Sequence, residues 1–186
     1  MNRFNFTDTS MPGVKLIGRA RQEDQRGFFE RLFCDQELGS VLGRRSVMQI
    51  NRTFTVSEGA VRGLHFQHPP YAEMKIVICL KGEIFDVAVD LRRGSPSFLQ
   101  WHAEKLRARD CNMLVVPEGF AHGFQALTTD CELMYLHTAH YESAAEDGLN
   151  ALDPALAINW PLAITDLSDR DKNSPLIDSS FSGLVL

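Results

Sequence analysis

Apolar and polar positions alternate in short runs along this chain, and turn-forming residues separate the runs. A period of two is what a β-strand shows when one face packs inward and the other meets water. Residues 14–19 read as such a strand, and so do residues 28–33 after the turn-like stretch 23–27. Further strands are predicted over 46–51, Val61–Gln67 and 75–80. Lys81-Gly82 makes a tight turn into a strand over 84–90, a two-residue hairpin signal. Residues 98–104, 113–116, 124–127 and 131–140 continue the series, with a loop at 92–96 and a turn at Pro117-Glu118-Gly119. Residues 35–42 are the one stretch that reads as a short helix. The last 40 residues are more irregular, carry three of the eight prolines, and read as a tail packed on the strands. About ten strands at this spacing predict an all-β sandwich or barrel, in one domain over 1–186.

Two polar residues stand out within that pattern. Strict alternation puts Val61, Gly63, His65 and Gln67 on one face, and Arg62, Leu64 and Phe66 on the other. Lys75 opens the next apolar run. A histidine can take and return a proton near neutral pH. A lysine beside it can stabilise negative charge developing on an oxygen. Together they suggest proton abstraction next to a carbonyl. Taken alone, the two also fit a satisfied strand histidine and an exposed lysine.

Composition narrows the classes. A hydrophobic fraction of 44% and a charged fraction of 23% are ordinary for a soluble globular chain. The net charge of −5 argues against a nucleic-acid partner. No apolar run approaches the roughly 20 residues that span a membrane. The first eight residues carry no long apolar segment, so no secretory signal is expected and a cytoplasmic location is. Cys34, Cys79, Cys111 and Cys131 form no Cys-x-x-Cys pair and sit in or beside apolar segments, so reduced, buried thiols are expected.

The segment Pro117-Glu118-Gly119-Phe120-Ala121-His122 has the spacing of one half of the cupin pattern. In metal-binding cupins the other half carries His-x-His and then Glu. Here the corresponding stretch is His65-Phe66-Gln67-His68, whose histidines are three apart and fall on opposite strand faces. A three-histidine metal site is therefore disfavoured, although His65, Glu73 and His122 remain a possible set.

From about Gly13 to Leu176 the chain resembles the dTDP-4-dehydrorhamnose 3,5-epimerase family. The motifs that carry the resemblance are Arg26-Gly27-Phe28-Phe29-Glu30, Gln49-Ile50-Asn51, Arg62-Gly63-Leu64-His65-Phe66-Gln67, the run from Gly82 to Arg92, and Ser95-Pro96-Ser97-Phe98. Pro117 to Phe124, Asp153-Pro154, Asn159-Trp160-Pro161 and Leu167-Ser168-Asp169-Arg170-Asp171 complete the series in order. The resemblance implies a cupin jelly roll, a homodimer, no cofactor and no metal. It also implies epimerisation at the two carbons beside the ketone of a nucleotide-linked 4-keto-6-deoxyhexose. His65 would be the base, Asp171 its partner (with Asp169 the competing choice), Lys75 the enolate stabiliser and Tyr135 the acid. Asp86 and His122 would belong to the same pocket, with Lys75 or a histidine pairing the buried Asp86. Arg26 and Arg62 would hold phosphate. Phe29, Glu30, Gln49, Asn51 and Tyr141 would form the nucleotide surface, with residues 26–30 often reaching into the partner subunit's site. Two departures lie at that end: no tryptophan precedes Asp153-Pro154, and His140 precedes Tyr141. The alternatives are a single-carbon epimerase on a related sugar, a metal-dependent cupin, and a sugar-binding cupin without catalysis.

Overall fold

Strands form where the alternation predicts them and in three places where it does not. The computed structural model describes residues 3–186; Met1 and Asn2, the first residues of the stretch in which no secretory signal is expected, lie outside the described residues. In chain order the first strands are β1 (Phe4–Asp8), β2 (Lys15–Arg19), β3 (Arg21–Asp24), β4 (Gly27–Glu30), β5 (Gln49–Thr55), β6 (Val61–Gln67) and β7 (Lys75–Lys81). They continue with β8 (Glu83–Asp90), β9 (Trp101–Arg107), β10 (Asn112–Val116), β11 (Phe120–Ala126), β12 (Cys131–His137) and β13 (Glu146–Gly148). Two α-helices of one turn each, α1 (Gly39–Leu42) and α2 (Asp169–Lys172), and a 3-10 turn at Ala108–Asp110 complete the regular elements among the described residues. The unpredicted strands are β1, β3 and β13. Strand β4 ends earlier than expected, β5 begins later, and α1 occupies only the end of the predicted helix.

Two antiparallel sheets face each other, ordered β1-β2-β10-β7-β12-β5 and β13-β6-β11-β8-β9. The period-two pattern sorts side chains between the inside of this jelly roll and its outer faces. Along β7, Val77 and Cys79 join the interior cluster, whereas Ile76 and Ile78 pack outward. Along β12, Leu133 and Tyr135 face inward while Met134 and Leu136 face out. The interior cluster also takes Ala88, Leu106, Leu114, Phe120 and Phe124 from both sheets. Burying each such phenylalanine contributes roughly 1.5–3 kcal/mol. The outer face of the six-stranded sheet is covered by the segment around Leu38 and Leu42. The tail covers the other sheet with Leu156, Ile177, Phe181 and Leu184. All four cysteines are free, and Cys79, Cys111 and Cys131 are buried.

Strict alternation fails on β6. His122 is opposite His65, but Phe124 is opposite Arg62, so three residues of β6 span two of β11. The extra residue is Gly63, with φ +117°. A Cβ there would lie 2.5 Å from Gly123 Cα, and one on Gly123 would lie 2.7 Å from the Arg62 carbonyl oxygen. This backbone approach forces a bulge, which changes the phase of the strand. Arg62 therefore lines the cavity with His65, where the alternation expected the opposite face, and Val61 packs against Ala151 and Leu167 at the cavity edge.

Candidate active site

Above the interior cluster the barrel opens into a cavity of about 580 Å³, a size suited to a small ligand. The five-stranded sheet supplies Arg62, His65, Gln67 and His122, and the six-stranded sheet supplies Gln49, Asn51, Lys75, Tyr135 and His137. The tail adds Ser168, Arg170 and Asp171.

The tail delivers the carboxylate to His65. Ser168 caps α2, its hydroxyl accepting from the Asp171 backbone amide at 3.1 Å. That turn aims Asp171 inward, where it is 3% exposed. Asp171 Oδ1 lies 2.7 Å from His65 Nε2, and Oδ2 accepts from the Gly63 amide at 3.3 Å. Burial pushes the Asp171 carboxyl up, but the hydrogen bond and charge of His65, with the Gly63 and Ser168 contacts, hold it net below its ordinary value. Asp169 points to water instead, 3.7 Å from Lys172.

Lys75 keeps to the inner face of β7 and is 8% exposed. Its Nζ donates to the His65 carbonyl at 3.2 Å and pairs with Glu73 at 3.1 Å. On the neighbouring strand β12, in the wall opposite His65, stands Tyr135, whose ring meets His122 edge-on at 5.9 Å. Burial first, then the charge of Asp86, pushes the phenol further above its ordinary range, so it stays protonated. Asp86 is fully buried beneath, and its partner is a histidine: His122 Nε2 lies 2.8 Å from Oδ1. The candidate metal set does not converge. His65 faces Asp171, His122 faces Asp86, and Glu73 takes Lys75 and the Gln67 amide. His68 lies outside the cavity, paired with Asp147.

Towards the mouth, Arg62 donates to the Thr55 hydroxyl at 3.0 Å and has no carboxylate partner among the described residues. Arg170, by contrast, is paired with Glu146 at 2.9 Å. Tyr141 is 56% exposed; its amide donates to Gln49 Oε1 and its hydroxyl to Glu146. Arg26, Phe29 and Glu30 do not line this cavity. They sit on the β3–β4 hairpin, with Arg26 paired to Asp24, Phe29 exposed and Glu30 held by Arg19 at 2.9 Å.

His137, Gln67 and Glu146 also line the cavity, although sequence reasoning gave them no binding role of their own, and Glu73 lines it without the metal role weighed for it. For His137 the signal was available: it lies two residues from Tyr135 in a predicted strand and so shares its face. Burial, then the charges of Lys75 and His122, push its imidazole down to about 4.

A charged carboxylate–imidazole pair on one wall, with a buried lysine beside it and a protonated phenol on the opposite wall, can remove a proton from one face of a carbon acid and supply one to the other. Comparison with known proteins identifies the family. Residues 8–179 match the family model for dTDP-4-dehydrorhamnose 3,5-epimerase. A dTDP-4-dehydrorhamnose 3,5-epimerase of Sinorhizobium fredii is 39% identical over 94% of this chain and 90% of its own. The dTDP-6-deoxy-D-glucose-3,5-epimerase of Legionella pneumophila, solved with dTDP-4-keto-L-rhamnose, superimposes with a TM-score of 0.91 at 34% identity, covering 98% of this chain and 99% of its own. A 3'-monoepimerase of Streptomyces bikiniensis, solved with dTDP-quinovose, gives a TM-score of 0.84 at 33% identity, covering 90% of this chain and 85% of its own.

Proposed function

The chain belongs to the dTDP-4-dehydrorhamnose 3,5-epimerase family, and we propose that it inverts C3 and C5 of dTDP-4-dehydro-6-deoxy-D-glucose to give dTDP-4-dehydro-L-rhamnose. The observation that carries this reading is the placement of His65–Asp171 and Tyr135 on opposite walls, with Lys75 between the sheets. The 4-ketone acidifies the protons on C3 and C5. His65 removes each in turn, Asp171 steadies the imidazolium, and Lys75 neutralises the enolate oxygen. Tyr135 returns a proton to the opposite face at each carbon, and between the two inversions the imidazolium passes its proton to water and the phenolate regains one from it. Arg62, the cavity cation without a carboxylate partner, takes the diphosphate. Gln49, Asn51 and Tyr141 receive the nucleotide, while Asp86 orients His122 against the sugar. Every step uses side chains of the protein, with no cofactor.

We also propose a cytoplasmic homodimer. Among the described residues no helix is long and apolar enough to cross a membrane. Phe28 and Phe29 are 62% and 57% exposed on a hairpin whose turn carries Arg26. Such a hairpin suits insertion beside a second subunit, where Arg26, Phe29 and Glu30 would complete the nucleotide end.

Incubation with dTDP-4-keto-6-deoxyglucose in deuterated water tests the reading. Deuterium should enter both C3 and C5, and His65→Ala should abolish entry at both. Near-normal exchange in that variant would overturn the base assignment. Inversion of one carbon is the second reading, favoured by the likeness to a 3'-monoepimerase; deuterium at C3 alone would establish it.

A further inference from the structure

His137 lines the cavity but takes no part in the proton transfers above. In the six-stranded sheet it stands between Lys75 on β7 and Gln49 on β5. Lys75 belongs to the reacting centre, and Gln49 holds the Tyr141 amide at the mouth at 2.9 Å. His137 thus marks the boundary between the two. Its Nε2 lies 3.4 Å from Asn51 Nδ2, and among the described residues Nδ1 has no partner. With its imidazole pushed down to about 4, the ring is neutral at pH 7. Asn51 Nδ2 can only donate, so it takes the Nε2 lone pair, and the ring proton sits on Nδ1 as a free donor to a hydroxyl oxygen.

The proposed substrate narrows which hydroxyl this is. C4 carries the ketone, C6 is a methyl, and C1 bears the diphosphate. The C3 hydroxyl moves when C3 inverts, so no fixed group keeps the same contact with it throughout. The C2 hydroxyl alone sits on a carbon that does not react, and C2 lies between C3 and the diphosphate-bearing carbon. That order matches the position of His137 between the reacting centre and the mouth. We infer that His137 is a substrate-specificity residue that hydrogen-bonds the C2 hydroxyl and anchors the hexose while its neighbours invert. The inference rests on the proposed function.

Calorimetric titration of the whole protein with dTDP-glucose and dTDP-2-deoxyglucose, neither of which carries the reactive ketone, tests it without turnover. The wild type should bind the 2-deoxy compound about tenfold more weakly, the size expected for one hydrogen bond. His137→Leu should weaken dTDP-glucose about tenfold and leave the 2-deoxy compound unchanged, so the gap closes. His137→Gln, which keeps a donor and an acceptor, should restore most of the preference. Equal weakening of both ligands, or no weakening, in a folded His137→Leu protein would overturn the assignment. If that variant does not fold, His137→Phe serves the same comparison. Equal binding of the two ligands by the wild type overturns it without any variant. Failure of the wild type to bind either sugar nucleotide would instead refute the proposed function, and the subsite with it.

Discussion

Asp171→Asn separates the charge beside His65 from the shape that holds it. The carboxylate lies 2.7 Å from His65 Nε2, with side-chain exposures of 4% for Asp171 and 30% for His65, so water screens the pair from one side only. Its carboxyl is held below its ordinary range, so it is anionic at neutral pH. A depressed carboxyl contributes stability above the unfolded value of about 3.9, and that contribution is lost as pH falls through the folded value. Asparagine keeps the volume and removes the charge. A hydrogen bond to a charged group contributes about 1.5–3 kcal/mol, and about 1.4 kcal/mol is tenfold in rate. The expected loss in kcat/KM is therefore roughly 10- to 150-fold. An Asn amide that donates to the imidazole would hold the wrong tautomer and push the loss to the upper end. The fold should change little, because the Ser168 hydroxyl accepts from the residue 171 backbone amide, which the substitution keeps. A cost of about 1 kcal/mol corresponds to about 2–4 °C in Tm for a chain of this size. The assay is deuterium exchange at C3 and C5 by NMR, alongside a thermal melt. If Asp171 acts through His65, adding Asp171→Asn to His65→Ala should cost nothing further. Asp169→Asn, at a side chain 97% exposed, is the control and should match the wild type. A folded Asp171→Asn protein within threefold of wild-type kcat/KM would refute the reasoning, as would a double variant well below His65→Ala.

Three further expectations follow from the same geometry. Tyr135→Phe should let His65 remove and return protons on one face, so solvent exchange persists while inverted product falls about 10²- to 10⁴-fold; equal loss of exchange and inversion would remove Tyr135 as the opposite-face acid. Gly63→Ala puts a Cβ 2.5 Å from Gly123 Cα at φ +117° and should cost about 3 kcal/mol or more, lowering Tm by about 6–12 °C; an unchanged melt would contradict the close approach. Asp90 is fully buried, which raises its carboxyl, but bonds from Arg92, Ser95 and Ser97 hold it down to about 2. Its stabilisation is therefore complete above the unfolded value near 4 and lost as pH falls towards 2, so Asp90→Asn should cost about 2 kcal/mol at pH 7 and less at pH 3.5. Equal Tm differences at the two pH values would contradict that sign.

Most of the barrel was legible because its strands bury one face. The span Val61–Gln67 matches β6, whereas Lys75 and Tyr135, which stand inward beside Val77 and Leu133, were assigned by motif position. The missed strands lack that signal. Strand β3 reads Arg-Gln-Glu-Asp in a hairpin outside the two sheets, and β1 is an edge strand with one buried residue. The phase of β6 was hidden for another reason. Its bulge comes from a contact with Gly123, sixty residues away, and an isolated glycine in a strand was its only local trace. Asp171 was legible through the family resemblance alone; an irregular tail has no period, and Asp169 lies only two residues away in the same single-turn helix. Arg26, Phe29 and Glu30 matched motif positions, yet their hairpin lies away from this chain's own cavity.

The contact between Gly63 and Gly123 has a consequence for how variation can move through this site. An enlarged core residue is usually rescued by shrinking its neighbour. Here trimming a neighbour is not enough: besides the Leu64 side chain near Gly123, the atoms in the way are the Cα of the facing glycine and the backbone oxygens of His122 and Arg62. No second-site substitution can remove them. The spacing between Arg62 and His65 is thus set by a contact that mutation can only worsen, and suppressors of a change at either glycine should have to come from wholesale movement of β6 against β11.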